Sequence, residues 1–102
     1  MKEYDLFVPL FYNDRVPVEE GKIEDIGEQL LKQFTGLTFF PQPNQGFWKM
    51  GDVTFRDQVV VFRVLTKQTR RARRFFAQFK EQLKKDLKQE EILIVERDVE
   101  TL

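Results

Sequence analysis

Apolar positions along the chain switch between a period of two residues, typical of strands, and a spacing of three to four residues, typical of helices. The pattern predicts six elements in the order strand, helix, strand, strand, helix, strand. They cover residues 4–12, 18–34, 37–40, 58–66, 68–89 and 92–95. The second helix has the clearest apolar stripe. Its members are Ala72, Phe75, Phe76, Phe79, Leu83 and Leu87.

This order of elements predicts the fold class. Two consecutive strand–helix–strand units are typical of the ferredoxin-like βαββαβ sandwich. Because such connections are right-handed, both helices are expected on one face of a four-stranded antiparallel sheet. The chain has 102 residues, the size of one domain. We therefore predict a single ferredoxin-like α+β domain over residues 1–102.

Turn signals are concentrated between the second and third strands. The stretch Pro41–Gly46 holds two prolines, and proline cannot donate to a β-ladder. This stretch is therefore predicted to be an edge element or a bulged loop. Met50-Gly51-Asp52 follows between two short apolar runs, which predicts an extra hairpin near residues 47–55.

The two central strands of this arrangement carry apolar residues on both faces. Val60, Phe62 and Val64 are predicted to face the helices. The opposite face would then be uncovered, and it would hold Phe7, Pro9, Phe11, Val59, Val61, Arg63 and Leu65. Such a patch exceeds what soluble monomers usually expose, so we predict a homodimer in which a second copy stacks sheet to sheet. In the alternative, the 41–46 loop and the hairpin fold across this face.

Trp48 is assigned to the same dimer or ligand face. Together with Tyr4, Tyr12, Arg56 and Arg63 it could line a small pocket near the hairpin. Aromatic rings beside an arginine suit a planar or anionic ligand. The favoured interpretation is simpler. Small domains need large side chains to bury enough surface, so Trp48 and the 11 phenylalanines build a core and an interface.

The second helix is strongly basic. Residues 67–88 hold nine Lys and Arg against two acidic residues, a net charge of +7 in a chain whose overall charge is zero. The tightest part of this run consists of Arg70, Arg71, Arg73 and Arg74. These guanidinium groups are candidate contacts for phosphate or nucleic acid. The favoured alternative is a solvated helix surface balanced by the acidic first helix.

The chain contains no His, Cys or Ser. The usual general base, the usual nucleophiles and the nitrogen and sulfur ligands of metals are therefore missing. This argues against an enzyme, and we predict no catalytic residue, no cofactor and no metal site. The apolar runs are too short to cross a membrane, and Met1–Asp5 lacks the start of a signal peptide. We expect a cytoplasmic protein with no membrane partner.

Three stretches carry a resemblance to known proteins. An aromatic first strand ends in Asn13-Asp14, and Phe34-Thr35-Gly36-Leu37-Thr38 and Gly46-Phe47-Trp48 follow. In these features the chain resembles small bacterial proteins of ferredoxin-like or dimeric α/β-barrel type. The resemblance implies a fold and no particular activity. Enzymes of the barrel type usually place a His, Asn or Trp in the barrel. Here histidine is absent and Trp48 is available.

These observations favour a non-catalytic homodimeric interaction or small-ligand-binding module, of the kind that serves as an accessory subunit of a larger assembly. Its expected partner is a second copy of itself, and another protein is a further candidate. One alternative is a nucleic-acid-binding protein that uses the basic second helix. Another is a cofactor-free dimeric α/β-barrel enzyme.

Overall fold

The computed structural model describes all 102 residues and contains four strands and two helices. In chain order these are β1 (Lys2–Pro9), α1 (Glu20–Gln33), β2 (Thr38–Met50), β3 (Val53–Thr66), α2 (Thr69–Asp86) and β4 (Ile94–Asp98). All strand pairs are antiparallel. The predicted α+β class, with a four-stranded antiparallel sheet and two helices, is therefore confirmed.

The strands lie in the order β2-β3-β1-β4, which is compatible with a ferredoxin-like arrangement. β1 and β3 are the central pair, and Leu6 lies opposite Phe62 and Val8 opposite Val60. β1 also pairs with β4 at the far end of the chain, where Lys2 lies opposite Asp98. β2 and β4 are the two edges of the sheet.

A single apolar core lies between one face of the sheet and the two helices. Val60, Phe62 and Val64 of β3 are buried in it, as the alternation of apolar residues predicted. From the helices it takes Ile26 and Leu30 of α1 and the apolar stripe of α2. Because both helices contact side chains of one parity, they cover one face and leave the other open.

Residues 41–55 follow the prediction only in part. β2 runs through both prolines as one strand, with a shift of register between Phe40 and Asn44. The predicted edge element is confirmed, because the prolines fall at an irregularity of an edge strand, where a missing N–H is tolerated. The turn predicted at Met50-Gly51-Asp52 is also present, but the hairpin is the end of these two long strands and not a separate element. β2 and β3 form one long hairpin whose two-residue turn contains Gly51, with a φ of +62° that glycine adopts without strain.

The end of this hairpin projects past the rest of the sheet. The ladder between β1 and β3 stops at the pair of Pro9 and Val59. We call residues 41–57 the hairpin arm, and from Gln45 onward they lie beyond that point, because Asn44 still pairs with Val59. All of them are exposed except Gly46, which is half-buried. The arm therefore does not fold back across the open face, contrary to the alternative drawn from the sequence.

The last strand also begins later than predicted, at Ile94. Ile92, which the pattern placed in the strand, is buried in the core just before it. Its backbone N–H donates to the side chain of Glu91 and so is not available to the sheet.

Candidate interaction surface

The face of the sheet opposite the helices is formed by alternate residues of each strand, and we call it the open face. Its position follows from the registers, which align Asp5 with Arg63 and Phe7 with Val61. Its members are Glu3, Asp5, Phe7 and Pro9 of β1, Val59, Val61, Arg63 and Leu65 of β3, Val95 and Arg97 of β4, and Thr38 and Phe40 of β2.

The middle of the open face is apolar. Val61 is flanked by Phe7 on β1 and by Phe40 on β2. Only 9% of Val61 is exposed, whereas Phe40 beside it remains exposed. Large neighbouring side chains thus shield the central valine while their own outer surfaces meet water. Leu65 is also exposed, but it lies farther along β3, beyond Arg63.

A cluster of four charges lies beside this apolar region. Asp5 is 3% exposed, and Arg63 donates to both of its oxygens, from Nε to Oδ1 at 2.8 Å and from Nη2 to Oδ2 at 3.0 Å. Arg97 donates from Nη1 to Oδ2 at 2.9 Å. Glu3 forms ion pairs with both arginines. Two acidic and two basic side chains therefore make a closed, neutral group.

The pairing shifts the pKa of two members of the cluster, Asp5 and Arg63. Hydrogen bonds from Arg63, and then from Arg97, lower the pKa of Asp5 against the effect of burial. The same bond to Asp5 raises the pKa of Arg63. The Arg63 guanidinium also lies 5.1 Å from the ring centroid of Phe40, a cation–π distance. Asp5 is thus held as a carboxylate between two guanidinium groups.

The hairpin arm continues the open face. Phe55 and Asp57 share the parity of Val59, and Trp48 pairs with Phe55. The Trp48 ring stacks on Phe55 with centroids 4.4 Å apart. Its Nε1–H donates to Asp57 Oδ2 at 3.0 Å. The indole is thereby held flat along the arm, with one ring face toward solvent.

Large apolar side chains of the arm are exposed mainly on the face of Trp48, which also holds Met50, Val53 and Phe55, whereas Phe47 lies on the opposite face. On the face opposite Trp48, the guanidinium of Arg56 lies 5.6 Å from the ring centroid of Phe47. Five apolar side chains of the arm are between 39% and 59% exposed, namely Phe47, Trp48, Met50, Val53 and Phe55. An arm only two strands wide cannot bury these groups by itself.

The predicted dimer or ligand residues are distributed over this surface. Val59, Val61, Arg63 and Phe7 lie on the open face, and Trp48 extends it onto the arm. Phe11 does not lie on the sheet, because it follows the end of β1, where it forms an isolated bridge with Pro17.

The five residues considered for a pocket are not brought together. Tyr4 lies in the core, stacked on Phe76, and its hydroxyl donates to Glu96 at 2.6 Å. Burial, followed by that hydrogen bond, raises the pKa of Tyr4 to about 12. Tyr12 lies beside α1, where it contacts Glu19 and accepts from Lys22 at 2.8 Å. Neither tyrosine is near Trp48.

The four arginines at the start of α2 have different surroundings. Arg73 pairs with Glu96 at 3.3 Å, and Arg71 donates to the side chain of Gln68. Arg70 and Arg74 are exposed, and neither takes part in an ion pair. Two of the four guanidinium groups are thus available to an external anion.

The structure gives little support for a ligand pocket, a metal site or a membrane-spanning helix. A concavity of about 300 Å³ lies at the end of the sheet away from the arm, between Gln33, Leu65 and Lys67. No three His, Cys, Asp or Glu side chains are grouped closely enough to hold a metal ion. Neither helix combines the length and the apolar character needed to cross a bilayer.

Sequence reasoning missed the partners of Arg63. The signal was present in part, because Glu3 and Asp5 share the parity of Phe7 and Arg63 shares the parity of Val61. Placing Arg97 beside them requires the register of β4 against β1, which no local pattern gives.

Comparison with known proteins adds no family. No protein-family model matches the chain, and no curated protein matches it. The function is therefore inferred from the surfaces described above.

Proposed function

We propose that this chain is a ferredoxin-like βαββαβ domain that acts as a non-catalytic homodimeric interaction module, with its open face as the contact surface. The observation that carries the proposal is the apolar centre of that face, around Val61, which is exposed to solvent at Phe40 and bordered by a neutral charged cluster, with Leu65 exposed beyond that cluster. A second copy, stacked sheet to sheet, would remove these groups from water. Such a module suits an accessory subunit of a larger assembly.

The amount of exposed surface supports this proposal. The chain exposes 7525 Å², whereas a compact monomer of 12.3 kDa is expected to expose about 6,100 Å². Its radius of gyration is 14.1 Å, against about 12.8 Å for a compact domain of this length. The excess of about 1,400 Å² is larger than the roughly 800 Å² that each partner contributes to a standard interface.

The chemistry of the open face favours a protein partner over a substrate. Arg63 and Arg97 are paired with Asp5 and Glu3, so the face offers phosphates little net charge. The barrel-enzyme alternative has less support, since Tyr12 lies away from Trp48 and the carboxylates beside Arg63 are fully paired.

Phe40 and Phe39 provide a matched test of the contact surface. They are adjacent on β2, 38% and 41% exposed, and on opposite faces of the sheet, where Phe39 stacks on Phe62. We expect Phe40→Glu to raise the dimer dissociation constant about 10- to 100-fold, because a charge would have to be desolvated at the contact. Sedimentation velocity from about 1 to 100 μM would measure it.

Phe39→Glu is the control, and it is expected to leave the dissociation constant within about threefold of the wild-type value. Circular dichroism would establish that both variants are folded. A wild-type chain that is monomeric throughout this range would contradict the proposal, as would equal weakening by the two substitutions.

The exposed and unpaired Arg70 and Arg74 favour a second candidate, nucleic-acid binding by α2. On this candidate, a labelled oligonucleotide binds the wild-type chain at 50 mM salt and about 10- to 100-fold more weakly at 200 mM. The double variant Arg70→Glu, Arg74→Glu is expected to abolish that binding. Lys85→Glu with Lys88→Glu makes the same charge change at the other end of the helix and serves as the control. Titration curves that coincide for all three proteins would exclude this candidate.

A further inference from the structure

The hairpin arm presents Trp48, Met50, Val53 and Phe55 on one face and Phe47 on the other, and it has no element of its own chain against it. We propose that the arm of one copy lies across the open face of a second copy, so that two arms clasp the dimer reciprocally. This inference rests on the proposed homodimer and names the element that holds it together.

As a two-stranded hairpin, the arm gains little stability by itself. An isolated two-stranded hairpin is marginally stable in water, yet this one carries Phe47, Trp48 and Phe55 in exposed positions. The Trp48–Phe55 stack and the hydrogen bond from Trp48 to Asp57 keep the rings in place before any partner arrives. Aromatic groups fixed in this way lose little conformational freedom on binding, which favours their use as interface anchors.

The length of the arm matches its proposed seat. From Val59 to Val53 the strand rises about 20 Å, at roughly 3.4 Å per residue. A sheet of four strands spans about 14 Å between its outer strands, at roughly 4.8 Å per spacing. An arm can therefore cross the whole open face of a partner and reach its far edge.

Charge favours a second copy over a charged macromolecule. The arm holds two basic residues, Lys49 and Arg56, and two acidic residues, Asp52 and Asp57, so its net charge is zero. The open face is also neutral, because its two arginines balance Asp5 and Glu3. Two neutral, apolar surfaces on one chain are complementary, and a twofold axis repeats the contact of arm and face twice.

The available area agrees with such a clasp. If each chain buried its excess of about 1,400 Å², the two together would bury about 2,800 Å², within the range of obligate homodimers. All residues of the arm except Gly46 are exposed, so the arm contributes to this excess.

Trp48, the only tryptophan, makes the clasp directly observable. Its fluorescence emission would be recorded during serial dilution of the wild-type chain, alongside the mass from sedimentation. We expect emission at shorter wavelength in the dimer and a shift to longer wavelength that follows dissociation, because the exposed indole would leave an apolar seat. Phe55→Glu places a charge beside the Trp48 ring and is expected to shift the midpoint of dissociation. Lys49→Glu is the control, because it adds negative charge next to Trp48 on the opposite face of the arm. It is expected to shift that midpoint less than Phe55→Glu does.

A shortened arm gives the second measurement. Gln45 pairs with Gln58, so replacing Gly46–Asp57 by Asn-Gly closes the hairpin with a favoured two-residue turn. We expect this variant to keep the core and its circular dichroism and to dissociate at least about 100-fold more readily than the wild type, since it loses both clasps.

The outcomes separate the two proposals. A wild-type dimer whose Trp48 emission stays constant on dissociation, or a shortened variant that dimerises as tightly as the full chain, would overturn the clasp and leave the open-face dimer standing. A wild-type chain that is monomeric at every concentration would overturn the proposed function itself. If the shortened variant does not fold, the emission of the wild-type chain decides alone.

Discussion

Replacing Phe76 by alanine is expected to lower the free energy of unfolding by about 3–5 kcal/mol. Phe76 is 3% exposed and lies between two rings, with centroids 4.5 Å from Tyr4 and 5.5 Å from Phe34. Alanine would leave a cavity where α2, α1 and β1 meet. Since small domains are stabilised by only about 5–15 kcal/mol in total, much of the margin would be lost.

Phe75 provides the comparison on the same helix. It is only half-buried and packs at the edge of the core against Phe34 and Phe79. Phe75→Ala should therefore lower the free energy of unfolding clearly less than Phe76→Ala does, as measured by urea unfolding. All variants are compared at one protein concentration, because the proposed dimerisation would add to their apparent stability. Equal losses for the two variants would contradict the described packing of α2.

The second large effect is expected at Asp5. Asp5→Asn should lower the free energy of unfolding at pH 7 by about 2–3 kcal/mol, because Arg63 and Arg97 would lose a shared anion and face an amide that cannot accept as many bonds. Glu3 would be the one carboxylate left to the two arginines. Asp98→Asn removes an ion pair with Lys2 at an exposed position and is expected to have almost no effect on urea unfolding.

The pH dependence of this effect has a defined sign. The pKa of Asp5 is lowered in the folded chain, whereas in the unfolded chain it is near 3.9. Its contribution is therefore complete above about pH 4 and is lost as the pH falls from there through the folded pKa. The difference between wild type and Asp5→Asn should shrink between pH 5 and pH 2 in urea unfolding. A difference that stays constant over this range would show that the Asp5 charge is not what stabilises the sheet.

The order of the elements and the inward face of the central strands could be read from the sequence. Apolar periodicity records which side of an element meets the core, so the burial of Val60, Phe62 and Val64 follows from their alternation. The stripe on α2 was readable for the same reason, and five of its six members are buried. These features depend on neighbours only a few residues apart.

The continuation of β2 beyond Phe40 could not be predicted from apolar periodicity. Pro41 and Pro43 signal a break only if a strand needs every N–H. That need depends on whether the strand is central or at an edge, which is a property of the whole sheet. The charged cluster was hidden for a related reason. Asp5 and Arg97 are 92 residues apart, and their contact depends on a register that the intervening chain determines.

The position of β1 between β3 and β4 has a consequence for how the chain is made. β1 is synthesised before both of the strands that flank it at the centre of the sheet, because β3 begins only at Val53 and β4 at Ile94. Until they emerge, Leu6 and Val8 have no ladder to join. Such distant pairings slow folding, so the nascent chain is expected to stay open until its final strand is complete.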